Sequence, residues 1–402
     1  MRKKKSDSAK RKRSSNQRTR KTSLPRRIAR ATPLILVLVL LGVVFSRLGV
    51  LHKLETLTLD TEARLNSPVA DSEVAIVNIV DGDYEKMFDS KSPLNSAGLR
   101  DLIDAIATGQ PRVIGVDIDT SDKQFRDGFQ IPPSWPPIVW ERIVKELPES
   151  ADEKPEPISV MGGRDAALDR DSGLALLVQD ADDKVTRRYR RFIDTTEGPL
   201  PSFSWAVVHK FAPEKALLLD DWAEPLLIRY SSDREGSERL EFTAGKVIEL
   251  APQWKAAPQS SPLRSKIVLL GGSYLGQDRH DTPLGKMVGV RVLANVIETE
   301  LGGGGYGPPG RSTIALLEIF DGVLLILLFH FFSSVRAVLI SLVIVPLLAL
   351  VCSLLSFGSV SRWAYFAPVL VGVLLFELYE HFRRHTVPQV YEEISGSATD
   401  AK

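Results

Sequence analysis

Long and nearly pure apolar runs lie in two regions of this chain, one just after a basic tail and three crowded into the last quarter, with a long polar stretch between them. Runs of that length are suited to lipid, because a helix satisfies its backbone hydrogen bonds internally and apolar side chains need no water. They predict transmembrane helices at 33–50, 313–332, 337–357 and 363–380, which would hold residues 51–312 outside one face of a membrane by anchors at both ends. A cleaved signal peptide is the competing reading of the first run. An anchor is favoured, because no small-x-small pattern follows Val44 and the apolar rhythm continues through Leu48, Leu51, Leu54 and Leu57.

The formal net charge of +1 conceals an asymmetry that orients these spans. Residues 1–30 carry fourteen Lys or Arg against one acid, Asp7, so the tail is about +13 and the remainder about −12. With few apolar residues among its charges, the segment 1–32 reads as a disordered cytoplasmic tail. Four spans then return the short tail 381–402 to the cytoplasm. Arg336, Arg383 and Arg384 fall inside and only Arg362 outside, in accord with the positive-inside rule. The tail lacks the aromatic residues or folded reading element that nucleic-acid binding needs, so no nucleic-acid partner is expected. Glu318 and Asp321 share one face of the second span, where packing contacts and a proton relay extended by Glu377 both remain open.

The only cysteine, Cys352, falls in an apolar run, so the outer domain has neither disulfide nor thiolate metal site and relies on core burial. Three runs dominate that core: 74–80, 113–118 and 266–272. Near-continuous apolar runs suit strands buried on both faces of a mainly parallel sheet with flanking helices, which makes the outer domain α/β. Residues 97–107, with Leu99, Leu102, Ile103 and Ile106 on one face, form a helix between the first two strands, as in a right-handed βαβ unit. Further helices are expected at 203–211 and 290–301. The segment 131–157 reads as an irregular excursion around Trp135, Pro136 and Pro137, and 301–305 as a flexible connector.

In parallel sheets the ligand crevice lies beyond the carboxyl ends of the strands. Here those ends carry Asp81 and Asp83, Asp117 and Asp119, and Gly271, Gly272 and Ser273 followed by Asp278, Arg279, His280 and Asp281. If the three strands are neighbours, these carboxylates meet at one rim, able to hold a hard cation or a cationic or hydroxylated small molecule. Acids as solvated turn formers are the competing reading. No nucleophile–base pairing or cofactor fingerprint occurs, so neither a catalytic residue nor a cofactor is expected, and the identity of any metal is left open.

The order of these pieces resembles the CHASE2 extracytoplasmic sensor domain of bacterial signalling proteins. The resemblance is carried by Asp60 to Arg64, the strand from Ala75 to Asp81, Val113 to Ile118, and Asp180-Ala181-Asp182 with Arg187-Arg188. It continues through Pro201 to Ser204, Lys266 to Ser273, Asp281-Thr282-Pro283-Leu284, and Gly289 to Ile297, which includes Ala294-Asn295. It implies a multi-pass protein of the bacterial plasma membrane whose outer domain binds an extracytoplasmic ligand or protein. The signal would reach a cytoplasmic or membrane partner, commonly in a homodimer, with Asn295 joining the candidate ligand residues. Two positions depart from the pattern: Ser92-Pro93-Leu94-Asn95 replaces a Trp/Pro-rich turn, and Leu293 replaces a His. Relatives carry an output enzyme after the last span, which 380–402 is too short to encode. The expectation is a non-enzymatic sensor working through a separate partner, with a structural scaffold for another envelope protein as the alternative.

Overall fold

The structure, a computed structural model, describes residues 72–305 with breaks at 147–152, 164, 217–224, 232–238 and 277, together with positions 56, 59–61, 63–64, 319 and 323. Apart from 319 and 323, the four expected spans lie outside the described residues, as do both tails; among the described residues no helix is long and apolar enough to cross a membrane. The chain divides into two compact units, and nearly all described residues belong to the one built on His52–Ile314.

In chain order, β1 (Val74–Ile79) is followed by α1 (Asp81–Phe88), α2 (Ser96–Thr108), β2 (Val113–Val116), α3 (Lys123–Gly128), β3 (Ile138–Arg142), α4 (Ala166–Arg170) and β4 (Ser172–Leu174). A stretch of short strands follows: β5 (Val178–Gln179), β6 (Thr186–Tyr189), β7 (Phe192–Thr195) and β8 (Gly198–Pro201). Then come α5 (Phe203–Phe211), α6 (Pro213–Ala216), β9 (Leu226–Leu227), β10 (Leu240–Thr243) and α7 (Ala244–Ala256). The last elements are β11 (Ile267–Gly272), the hairpin strands β12 (Arg279–Thr282) and β13 (Gly285–Val288), and α8 (Gly289–Leu301).

The main sheet is six-stranded and parallel throughout, in the order β10, β1, β11, β2, β3, β4. Period-two alternation divides its side chains between two helical layers. Ala75, Val77 and Ile79 of β1 face the cluster built on α2 and α7, and Val74 and Ile76 face the one built on α5 and α8. All six residues of β1 are buried, which explains its near-continuous apolar run, interrupted only by Asn78. Three helices begin at side-chain caps where the sequence places Asn95, Ser202 and Thr243, which accept from the backbone N–H groups of Gly98, Trp205 and Lys246.

Two expectations, those for 131–157 and 301–305, need correction, and the strand order left open by the sequence places β11 between β1 and β2, paired with both. Four apolar residues, Ile267 to Leu270, are buried on both faces of β11 and require a place inside the sheet. The excursion 131–157 contains β3, a strand paired on both sides; its short run Ile138-Val139-Trp140 is masked in sequence by the prolines before it. The connector 301–305 is docked: Gly304 is buried, and the Gly305 N–H donates to the Tyr189 hydroxyl at 3.0 Å.

α8 is enclosed on two sides. Val290, Leu293, Ala294 and Ile297 pack on the main sheet, while Val292 and Val296 pack on Tyr189, Leu226 and Ile228 of the small antiparallel region around β6 and β9. A helix covered all round must give each of its polar groups a partner. Glu300 receives Arg191 through Nε at 2.8 Å and a second nitrogen at 3.0 Å, and also the Tyr189 hydroxyl. Glu298 receives Arg239 and the Ser72 hydroxyl.

Candidate functional site

The alternation that fills the core also builds the rim. Along β2 the face carrying Val113 and Gly115 continues to Asp117, and along β3 the face carrying Val139 continues to Glu141, so both carboxyls point toward the α5 and α8 layer at the carboxyl ends of adjacent strands. The sequence-based condition is met: β1, β11 and β2 are consecutive neighbours. Beyond their ends lies a cavity of about 250 Å³ whose lining includes Asp117, Asp119, Glu141, Asp278 and His280. A second lobe of about 490 Å³ shares Ile118, Asp119 and Tyr274 with it.

Glycines make the rim approachable. A Cβ on Gly289 would collide with the Asp278 carboxylate, which therefore lies against the first turn of α8. A Cβ on Gly271 would come within 2.7 Å of Val290 Cβ, so Gly271 serves the packing of α8 on β11 and is not itself in the cavity lining. Tyr274 stacks on Tyr84 with ring centroids 4.3 Å apart. Asp81 fixes that turn by accepting the Leu275 N–H at 2.7 Å, with Leu275 in the left-handed region at φ 57°.

Burial raises the Asp117 carboxyl well above the usual range, and the charges of Glu141 and Asp278 add to the effect. Burial likewise pushes Glu141 up to about 8, helped by Asp119 and Asp278. Glu141 therefore holds its proton at neutral pH, and Asp117 binds one more readily than an ordinary aspartate. Among the described residues lining this lobe there is no Lys or Arg, and His280 points Nε2 at Asp278 Oδ1 across 3.0 Å. The His280 Nδ1 is buried and has no hydrogen-bond partner among the described residues. Among the described residues no three His, Cys, Asp or Glu side chains are placed to hold a metal ion. The arrangement therefore offers proton-holding carboxyls and a rim anion to a ligand.

Of the residues expected from sequence, Asp117, Asp119, Gly272 and Asp278 converge on the cavity. Asp81 and Asp83 do not, because backbone groups occupy them: Asp83 accepts from Gly245 at 3.1 Å and from Val80 at 3.4 Å. Ser273 extends the β11 ladder by donating its N–H to the Ile79 carbonyl at 2.9 Å. Asp281 is exposed on β12, outside the lining. Asn295 is wholly buried and structural, since its Oδ1 accepts from Ser231 at 3.1 Å and Arg239 at 3.2 Å, and its Nδ2 donates to the Arg291 carbonyl at 2.8 Å. Glu141 and Tyr274 were missed. The signal for Glu141 is the alternation Ile138-Val139-Trp140-Glu141, legible once β3 is recognised.

An open parallel α/β sheet with a carboxyl-lined crevice at its strand ends is thus the architecture of this domain. The CHASE2 domain family model matches residues 34–335, about three quarters of the chain, and the protein belongs to that family. CHASE2 domains are sensory and typically extracytoplasmic domains of membrane proteins. No curated protein and no solved structure matches the chain. Leu293 lines the acidic lobe, and Ser92, Pro93 and Leu94 line the other.

Proposed function

We propose that this protein is a membrane-anchored extracytoplasmic sensor that receives a small cationic ligand in the acidic lobe and passes a conformational bias to a separate partner. The observation that carries the ligand class is the pairing of Asp117 with Glu141 in a lobe whose described lining residues include no Lys or Arg. Partly buried carboxyls held neutral by their surroundings are stabilised by a partner that brings positive charge and N–H donors. Such a ligand binds the ionised pair, so its affinity rises with pH through the range in which Glu141 titrates, which reaches about 8. Leu177 and Leu293 add apolar wall to this lobe, suiting an organic amine better than a bare ion.

The test is a thermal melt of the full chain in detergent or nanodiscs against a panel of mono- and diamines, with calcium and magnesium as inorganic probes. An amine at about 100 Kd is expected to stabilise by about 2.7 kcal/mol, with the effect lost in Asp117→Asn. If no amine or cation moves the melt while crosslinking recovers one stoichiometric envelope protein, the domain is a docking scaffold and the sensor reading is wrong.

A further inference from the structure

The residues that close the acidic lobe also begin two structures that lead away from it. Asp278 and Gly289 flank the β12–β13 hairpin and tie its base together, with the Gly289 N–H donating to the Asp278 carbonyl at 2.9 Å. The turn of the same hairpin reaches the chain entering the domain: Arg64 Nε donates to the Pro283 carbonyl at 3.2 Å. Gly289 is in addition the first residue of α8, whose far end carries Glu300 and leads to Gly305, where the described chain leaves the domain. One lobe therefore touches the roots of two levers, one ending at the entering segment and the other at the departing one.

Both levers end on one strand. Arg187 of β6 is buried and holds Asp60 of the entering segment through Nε at 2.7 Å and a terminal nitrogen at 3.0 Å, while Asp180 and Asp183 accept from it as well. Burial alone would lower the Arg187 pKa, but hydrogen bonds to the three carboxylates raise it further, so it stays charged. Two residues along, Tyr189 receives the Gly305 N–H and donates to Glu300. β12 lies against β6 directly. Leu59 and Ala63 line a small cavity with Arg187, Ile228, Tyr230 and Pro283, so the entering segment is seated on this region by apolar contact too.

We infer that β6 is a clamp holding the entering and departing segments of the domain together, and that the hairpin and α8 couple this clamp to the strand-end lobe. The coupling gives the sensor reading its output, on which this inference rests in function though not in test. A shift at Asp278 or Gly289 moves the hairpin base; the turn moves with it and alters the Arg64 and Asp60 contacts, while α8 carries the same displacement to Glu300. The differential contacts are the ion pairs of Arg187 and the Tyr189 hydroxyl bonds, which two packings of the hairpin would satisfy unequally.

Hydrogen–deuterium exchange of the full chain, without any ligand, tests both parts. Asp60→Asn keeps the side-chain size at a partly exposed position and is expected to speed exchange across residues 52–64 by about tenfold. Strand β1 is expected to remain protected. Two lobe variants, Gly289→Ala and the milder Asp278→Asn, are expected to speed exchange in the same segment and in 301–312, by about threefold. Unchanged exchange at 52–64 in Asp60→Asn overturns the clamp. A response to Asp60→Asn with none to Asp278→Asn in a protein whose β1 stays protected overturns the coupling. Since no amine enters this experiment, a failed ligand panel and a failed clamp are separate results.

Discussion

Glu141 is the residue whose chemistry is most altered by its place in the fold. Its carboxyl holds a proton up to about 8 in the native domain, against 4.5 for the free group. Between those values the folded chain binds more protons than the unfolded one, so stability falls as pH rises through that window and levels off above it. Glu141→Gln removes the titrating group while keeping a similar shape. We expect it to raise the melting temperature at pH 8 by about 2–8 °C, corresponding to about 1–2 kcal/mol, and to change little at pH 4.5, as a pH series of thermal melts will read. An equal gain at both pH values would mean that the proton is not held at this carboxyl. Asp117 was legible in the sequence because it ends an unmistakable apolar run, whereas Glu141 was hidden behind Trp135-Pro136-Pro137. Asn295 shows the opposite limit: its motif marks an important position, but sequence does not distinguish a ligand contact from a buried amide joining α8 to Ser231 and Arg239.

Among the elements, α8 joins the two halves of the described domain. The sequence revealed its length and apolar character, since Val290, Leu293 and Ile297 recur at helical spacing, but not that a second β-rich region covers its other face. That region is made of strands of two to four residues, too short to leave a period. The insertion of β11 between β1 and β2 was equally invisible, because strand order depends on long-range pairing rather than on local pattern. Burial of Glu298 and Glu300 within α8 follows from the double covering and gives a direct test. Glu300→Ala leaves Arg191 buried without its carboxylate, although Arg191 retains its contact with the Trp205 ring at 4.9 Å. We expect a loss of about 3–5 kcal/mol in a denaturant melt. Glu300→Gln, which still accepts from Tyr189, should lose less. If both variants melt like the wild type, the ion pair contributes nothing that water or a neighbour cannot replace.

At the scale of the whole molecule, the parallel domain and the apolar runs make one argument about topology. A six-stranded sheet buried on both faces occupies the interval between the first and second apolar runs, and domains of the CHASE2 family are typically extracytoplasmic. On the positive-inside rule, the excess of Lys and Arg before the first run is expected to keep the N-terminus inside, which would send the domain outward and have the remaining runs bring the chain back. Fusions of an export-dependent phosphatase and of a fluorescent protein at residues 60, 335 and 390 separate the arrangements. Phosphatase activity is expected at 60 alone, with fluorescence at 335 and 390. A cytoplasmic signal at 60 would reverse the scheme and leave the acidic lobe facing the cell interior, where its ligand would be an intracellular amine. Exchanging the fourteen basic residues of the tail for neutral ones should then be decisive about cause: if charge sets the orientation, the phosphatase signal at 60 falls when they are removed, and if it does not fall, the spans orient themselves by their own hydrophobic lengths.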